Sequence, residues 1–235
     1  MKKRVSFLIA VVLVVCAFFN TAVPAKAAEK KADHIITEGE PINYDYAEAN
    51  GYVGILTIFS CDSGQDSSLT YWGHSWVTFT NISGYSMQIG VLSVPSGQEI
   101  TIGTRRGDSG HAGIWYNAEA YRYHNLGAYP NRVSLTIYIT QSNVNTLNSI
   151  IASGDSWNAF NNNCATFASN VWNSISSTYL SPGTIHLPAT LKSSIMAVSG
   201  YQTNRSMQNS TPVGYASGGS FVYGNTSLLS ITETE

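Results

Sequence analysis

Charge is scarce in this sequence: Asp, Glu, Lys and Arg together make up only 11% of its 235 residues. Four of the twelve bases (Lys2, Lys3, Arg4, Lys26) crowd into the first 27 residues, so the rest carries eight bases against fourteen acids, a net charge of −6. A surface so poor in cations excludes a nucleic-acid binder that works by neutralising phosphates. Proline is rare as well, at 7, while 14 Tyr, 8 Phe and 5 Trp supply material for a core, so the low charge is not that of a disordered chain. There is no C-x-x-C, no H-x-x-x-H and no run of clustered Asp, Glu and His, and no metal is expected. The loop from Gly103 to Gly110 is glycine-bearing but lacks the Walker pattern and a following helix, so no nucleotide cofactor is expected either. Arg105 and Arg106 within it can meet a substrate carboxylate, although such a pair is more often solvated.

What is present begins with an address. Lys2, Lys3 and Arg4 precede an apolar run from Val5 to Phe19, followed by Ala25-Lys26-Ala27. Basic start, short apolar run and A-x-A are the parts of a secretory signal peptide over 1–27, cut before Ala28. The run is shorter than a membrane span, and no second one follows, so stable membrane insertion after signal removal is not expected. Residues 28–50 hold six of the fourteen acids and read as an exposed leader arm. Residues 51–200 read as one α+β domain, an antiparallel sheet packed against helices. Its strands are expected at 53–59, 74–80, 85–94, 98–104, 112–116 and 132–140. Its helices are expected from Ser142 to Gly154, from Asn163 to Ser176, and from Pro188 to Val198. Residues 201–235 are rich in Ser, Thr and Asn, and whether this tail docks as strands or hangs free stays open.

The chemistry concentrates in Asn161-Asn-Asn-Cys164-Ala-Thr-Phe-Ala168. The asparagines are good cap residues and put Cys164 in the first turn of a helix, where free N–H groups and the macrodipole favour a thiolate. The same N–H groups can hold a developing oxyanion. The competing reading is structural: Cys61 and Cys164 are the even pair left after signal removal, and in an oxidising compartment they can form a disulfide. A nucleophilic thiol needs a base. His34 and His186 read as surface residues, His124 as a hydrogen-bonding residue, and His111 lies in a glycine loop. His74 opens a strand, which fixes an imidazole better than a loop does. The alternative pair Cys61 and His111 is disfavoured because Cys61 has no helical stripe after it and sits beside Asp62.

Gly73-His74-Ser75-Trp76 at a strand start, followed by Asn163-Cys164-Ala165-Thr166-Phe167 at a helix start, resembles the circularly permuted papain-like fold. That group includes the permuted NlpC/P60 proteins and their lecithin-retinol-acyltransferase-like relatives. The stretch from Gln98 to Glu119 is similar to exported Gram-positive proteins of this kind. The resemblance covers roughly residues 52 to 198. It implies a cysteine hydrolase with Cys164 as nucleophile and His74 as base, acting on amide or peptide bonds of cell-wall peptidoglycan or an extracellular protein. It also implies a third polar residue on the strand after the histidine, where Gln88 and Ser86 are the candidates. The rival is a secreted binding protein that keeps the fold and recognises partners through Tyr71, Trp72, Trp115 and Tyr116. A lipid acyltransferase would call for a membrane-seeking segment, and the mature sequence has none.

Overall fold

A computed structural model describes residues 31–62, 73–107, 110–154 and 162–229. Residues 1–27, where an export signal is expected, Tyr71, Trp72 and residues 230–235 lie outside them. The strands are β1 (Tyr52–Cys61), β2 (His74–Asn81), β3 (Met87–Ile89), β4 (Leu92–Val94), β5 (Glu99–Arg105), β6 (Gly113–Tyr116), β7 (Val133–Thr140), β8 (Gln202–Thr203), β9 (Gly214–Ser217) and β10 (Ser220–Tyr223). The helices are α1 (Tyr44–Ala49), α2 (Ala118–Leu126), α3 (Gln141–Ser153), α4 (Cys164–Ile175), α5 (Pro188–Met196) and α6 (Thr226–Leu229). Eight strands form one sheet in the order β10-β9-β6-β5-β2-β1-β7-β8, with every pairing antiparallel. The expected mixed architecture, an antiparallel sheet packed against helices, is what the chain adopts.

The branched apolar residues of the central strands alternate, and one set builds the main core. Leu56, Ile58, Val77, Phe79, Ile100, Ile102, Leu135 and Ile137 meet Val144 and Leu147 of α3, Phe167 and Trp172 of α4, and Leu191 and Ile195 of α5. Truncating one such side chain to alanine costs ~2–5 kcal/mol. The register Phe59↔Trp76 and Cys61↔His74 sends these four side chains to the opposite face. There Phe59, Cys61 and Trp76 pack with Ala128, Tyr129 and Met207.

The segments 31–49 and 201–229 dock onto this body. The acidic arm is not exposed throughout. Ala32 and Ile36 alternate with its charges and are buried, and the Ala32 and Ile36 N–H groups donate to Ile175 O and Thr136 O at 2.8 Å each. The tail supplies β8, β9 and β10, so it docks as strands. Buried Glu99 anchors it: the Gln208 N–H donates to Glu99 Oε1 at 2.9 Å, while the Glu99 N–H donates to Gln208 Oε1 at 2.9 Å. Burial raises the Glu99 pKa against these bonds and the nearby Arg205 charge.

The expected strand from Tyr85 to Val94 is a separate hairpin of β3 and β4 that does not pair with β2. Asn81 explains the departure, because its Nδ2 donates to Tyr85 O at 2.7 Å and to Val94 O at 2.8 Å, turning the chain out of the sheet. Gly90 bends the hairpin at φ +55, where any added Cβ collides with Tyr116. Helix α2 fell in a Tyr-, Arg- and Asn-rich stretch without an apolar stripe, and periodicity does not announce it.

Candidate active site

Cys164 is the first residue of α4, and the sequence folds that way because Asn163 caps it. Asn163 Oδ1 accepts from the Ala165 N–H at 3.0 Å and from the Thr166 N–H at 3.1 Å. The cap therefore uses two of the N–H groups that the sequence offers as oxyanion donors. Among the described residues no partner is found for the Cys164 N–H itself. His186, expected at the surface, is half-buried and braces this cap. Its Nδ1 meets Thr166 Oγ1 at 2.8 Å, and its carbonyl accepts from Asn163 Nδ2 at 2.9 Å.

His74, 7% exposed, opens β2 at the end of the sheet where β1 finishes. Its ring lies against both Trp76 (centroids 5.6 Å apart, 17°) and Tyr129 (5.6 Å, 23°), which also pack on each other at 4.6 Å. Nε2 meets Glu119 Oε1 at 3.0 Å, and the Cys164 sulfur lies near enough to the ring to act on its charge state. With Nε2 engaged by Glu119, Nδ1 is the ring nitrogen left for that sulfur. Burial, the largest single influence on His74, disfavours the charged imidazolium. The Cys164 sulfur and the Glu119 carboxylate outweigh it and push the imidazole up to about 9. The cysteine and the histidine expected to act together thus lie close enough for the one to influence the other.

Glu119 is the residue that sequence reasoning missed. It is fully buried in the first turn of α2. Asn117 just before it takes a left-handed backbone (φ 60), and its Oδ1 accepts from the Thr101 N–H at 3.1 Å, tying the start of α2 to β5. Thr101 Oγ1 then donates to Glu119 Oε2 at 3.0 Å. Burial pushes the Glu119 pKa up, but the bond and charge of His74, with the Arg105 charge, bring it below the usual carboxylate value. Gly103 leaves the necessary room, since a Cβ there would lie 2.5 Å from Glu119 Oε1. The strand expected to carry the third residue does not neighbour His74. Gln88 is exposed and donates to Gly90 O at 3.0 Å, and Ser86 is exposed. One signal pointed to Glu119: an isolated acid between two alanines in a nearly uncharged stretch.

Cys61 and Cys164 are both free thiols, not a disulfide. Cys61 is buried, its Sγ donates to His74 O at 3.5 Å, and burial pushes its thiol up to about 12. His111 does not join it. That ring stacks on Tyr215 at 4.2 Å just before β6, and β2 and β5 separate β6 from β1. His124 bonds Met207 O at 2.7 Å, in keeping with a hydrogen-bonding role, and His34 meets Glu40 at 3.3 Å. Arg106 is exposed, whereas Arg105 is buried next to the site. Trp115 and Tyr116 are fully buried and offer no recognition surface. Among the described residues no cluster of His, Cys, Asp and Glu could hold a metal ion, and no helix is long and apolar enough to cross a membrane.

No protein-family model, curated protein or solved structure matches the chain.

Proposed function

We propose that this chain is a cysteine hydrolase that cleaves amide or peptide bonds, with Cys164 as nucleophile, His74 as base and Glu119 as the group that orients the imidazole. One observation carries the reading: a buried imidazole is held between a carboxylate on Nε2 and a cysteine sulfur. A histidine so placed takes the thiol proton and leaves a thiolate beside an imidazolium for the attack. The thiolate attacks the amide carbonyl, and the oxygen that gains charge meets the Cys164 N–H at the positive end of α4. His74 then gives its proton to the leaving amine as the C–N bond breaks, leaving a thioester on Cys164. In the second half, His74 takes a proton from water, the resulting hydroxide attacks the thioester, and the thiolate departs with the carboxylic acid released. Glu119 stays ionised throughout and holds the ring in one tautomer.

The order of elements, with the histidine strand before the cysteine helix, supports a circularly permuted papain-like topology. The basic, apolar and A-x-A pattern of residues 1–27 supports export. On those two grounds the substrate is a peptide bond outside the cell, in peptidoglycan or in an extracellular protein. The test is to incubate the mature protein with purified peptidoglycan and, separately, with a denatured protein, and to measure newly released amino groups. Release by wild type and none by Cys164→Ala supports the reading; equal release by both, or none by either, contradicts it.

A further inference from the structure

Two of the buried groups that this mechanism leaves unused, Arg122 and Tyr129, lie near each other, and Tyr129 packs on His74. Arg122 lies one turn after Glu119 on α2 and is 1% exposed, yet among the described residues its Nε and Nη1 are buried without a hydrogen-bond partner. The Ala128 N–H donates to Arg122 O at 3.2 Å, folding the chain back so that Tyr129 follows directly. The Tyr129 ring stacks on His74, and its hydroxyl is buried and likewise has no partner. Tyr129 holds this place with a left-handed backbone (φ 64), and Arg132 Nη1 pins its carbonyl at 3.1 Å. A buried guanidinium nitrogen without an acceptor is strongly unfavourable. Arginine can only donate, so the missing component is an acceptor, and a negatively charged one compensates the cation as well. Glu119, one turn earlier, bonds His74 and Thr101 and does not meet Arg122 Nε or Nη1.

We infer that Arg122 and Tyr129 form a receptor for a carboxylate of the substrate, beside the Cys164–His74–Glu119 centre. The inference rests on the hydrolase reading for the source of the carboxylate, but the receptor itself can be tested without turnover. Cleavage is then selective for an amide with a carboxylate close to the scissile bond, such as a residue next to a free chain terminus or an acidic residue. A neutral substrate leaves the guanidinium uncompensated and is bound less well in the transition state.

The binding arm measures thermal unfolding of Cys164→Ala during titration with sodium acetate or neutral acetamide at fixed ionic strength. The expected result is a saturable rise of about 3 °C with acetate and none with acetamide. Arg122→Met, which keeps the bulk and removes the charge, abolishes the rise. Tyr129→Phe, which removes only the unpartnered hydroxyl, reduces it and guards against failure of the arginine variant to fold. An acetate rise no larger than that of acetamide, or one that persists in both variants, overturns the receptor. The turnover arm compares one peptide bearing a free C-terminal carboxylate with its amide. The expected preference for the acid is about tenfold in kcat/KM, lost in Arg122→Met. Hydrolysis without that preference refutes the specificity, whereas acetate binding with no hydrolysis of either peptide refutes the hydrolase reading alone.

Discussion

At the scale of single residues, the charge state of His74 governs the account. An imidazole ordinarily titrates near 6.5 and here is pushed up to about 9, so the folded protein holds a proton that the unfolded chain has released between those values. The stabilisation is complete below about 6.5 and disappears as pH rises through 9. The thermal midpoint of the wild type is therefore expected to fall more between pH 6.5 and 9.5 than that of His74→Gln, as differential scanning calorimetry will show. Glu119→Gln removes one of the two groups that raise His74, so the loss moves to lower pH, and turnover falls by about 10²-fold or more. Cys164 and His74 were legible in the sequence because local signals mark them: a run of cap residues, and a histidine at a strand start. Glu119 was not, because its role depends on a left-handed Asn117 and on a contact across β5 that no local pattern encodes.

At the scale of elements, the site depends on two helix starts. Asn163→Ala removes the side chain that ties two N–H groups of α4 and is expected to cost ~1 kcal/mol of stability. The same change frees the first turn that carries Cys164, so turnover should fall by more than the change in stability explains, and kinetics at a temperature well below unfolding separate the two. Gly103→Ala tests the start of α2. The added methyl meets a buried, hydrogen-bonded carboxylate and displaces Glu119 from His74. A kcat loss with little change in KM, together with an altered pH profile, is expected. Helices α3, α4 and α5 were legible from their apolar spacing and caps. Helix α2 was not, since it buries Glu119 and Arg122 and shows no hydrophobic stripe. The β3–β4 hairpin was misread as one strand because its separation from the sheet is enforced by the Asn81 side chain.

At the scale of the whole molecule, both sheet faces are covered, and the segments 31–49 and 201–229 take part in covering them. The alternating residues of β1, β2 and β5 build the helix-covered face, and no local pattern assigns a partner to the other. That face is closed by Met207 and Tyr129 and held at its edge by Glu99 and Gln208. Ending the chain after Gly200 removes β8, β9, β10 and Met207. It exposes Trp76 and the His74 ring to water, and the expected result is loss of the cooperative thermal transition, read by near-ultraviolet circular dichroism. Burial of Cys61 and the position of Cys164 at the sheet end lead to one decisive measurement on the intact protein. Alkylation by iodoacetamide from pH 5 to 10, with the modified cysteine mapped by mass spectrometry, reports the thiolate directly. The account predicts rapid labelling of Cys164 below pH 7, slowed in His74→Ala, with Cys61 unlabelled throughout. Labelling of Cys164 only above pH 8 and unchanged by His74→Ala would contradict it.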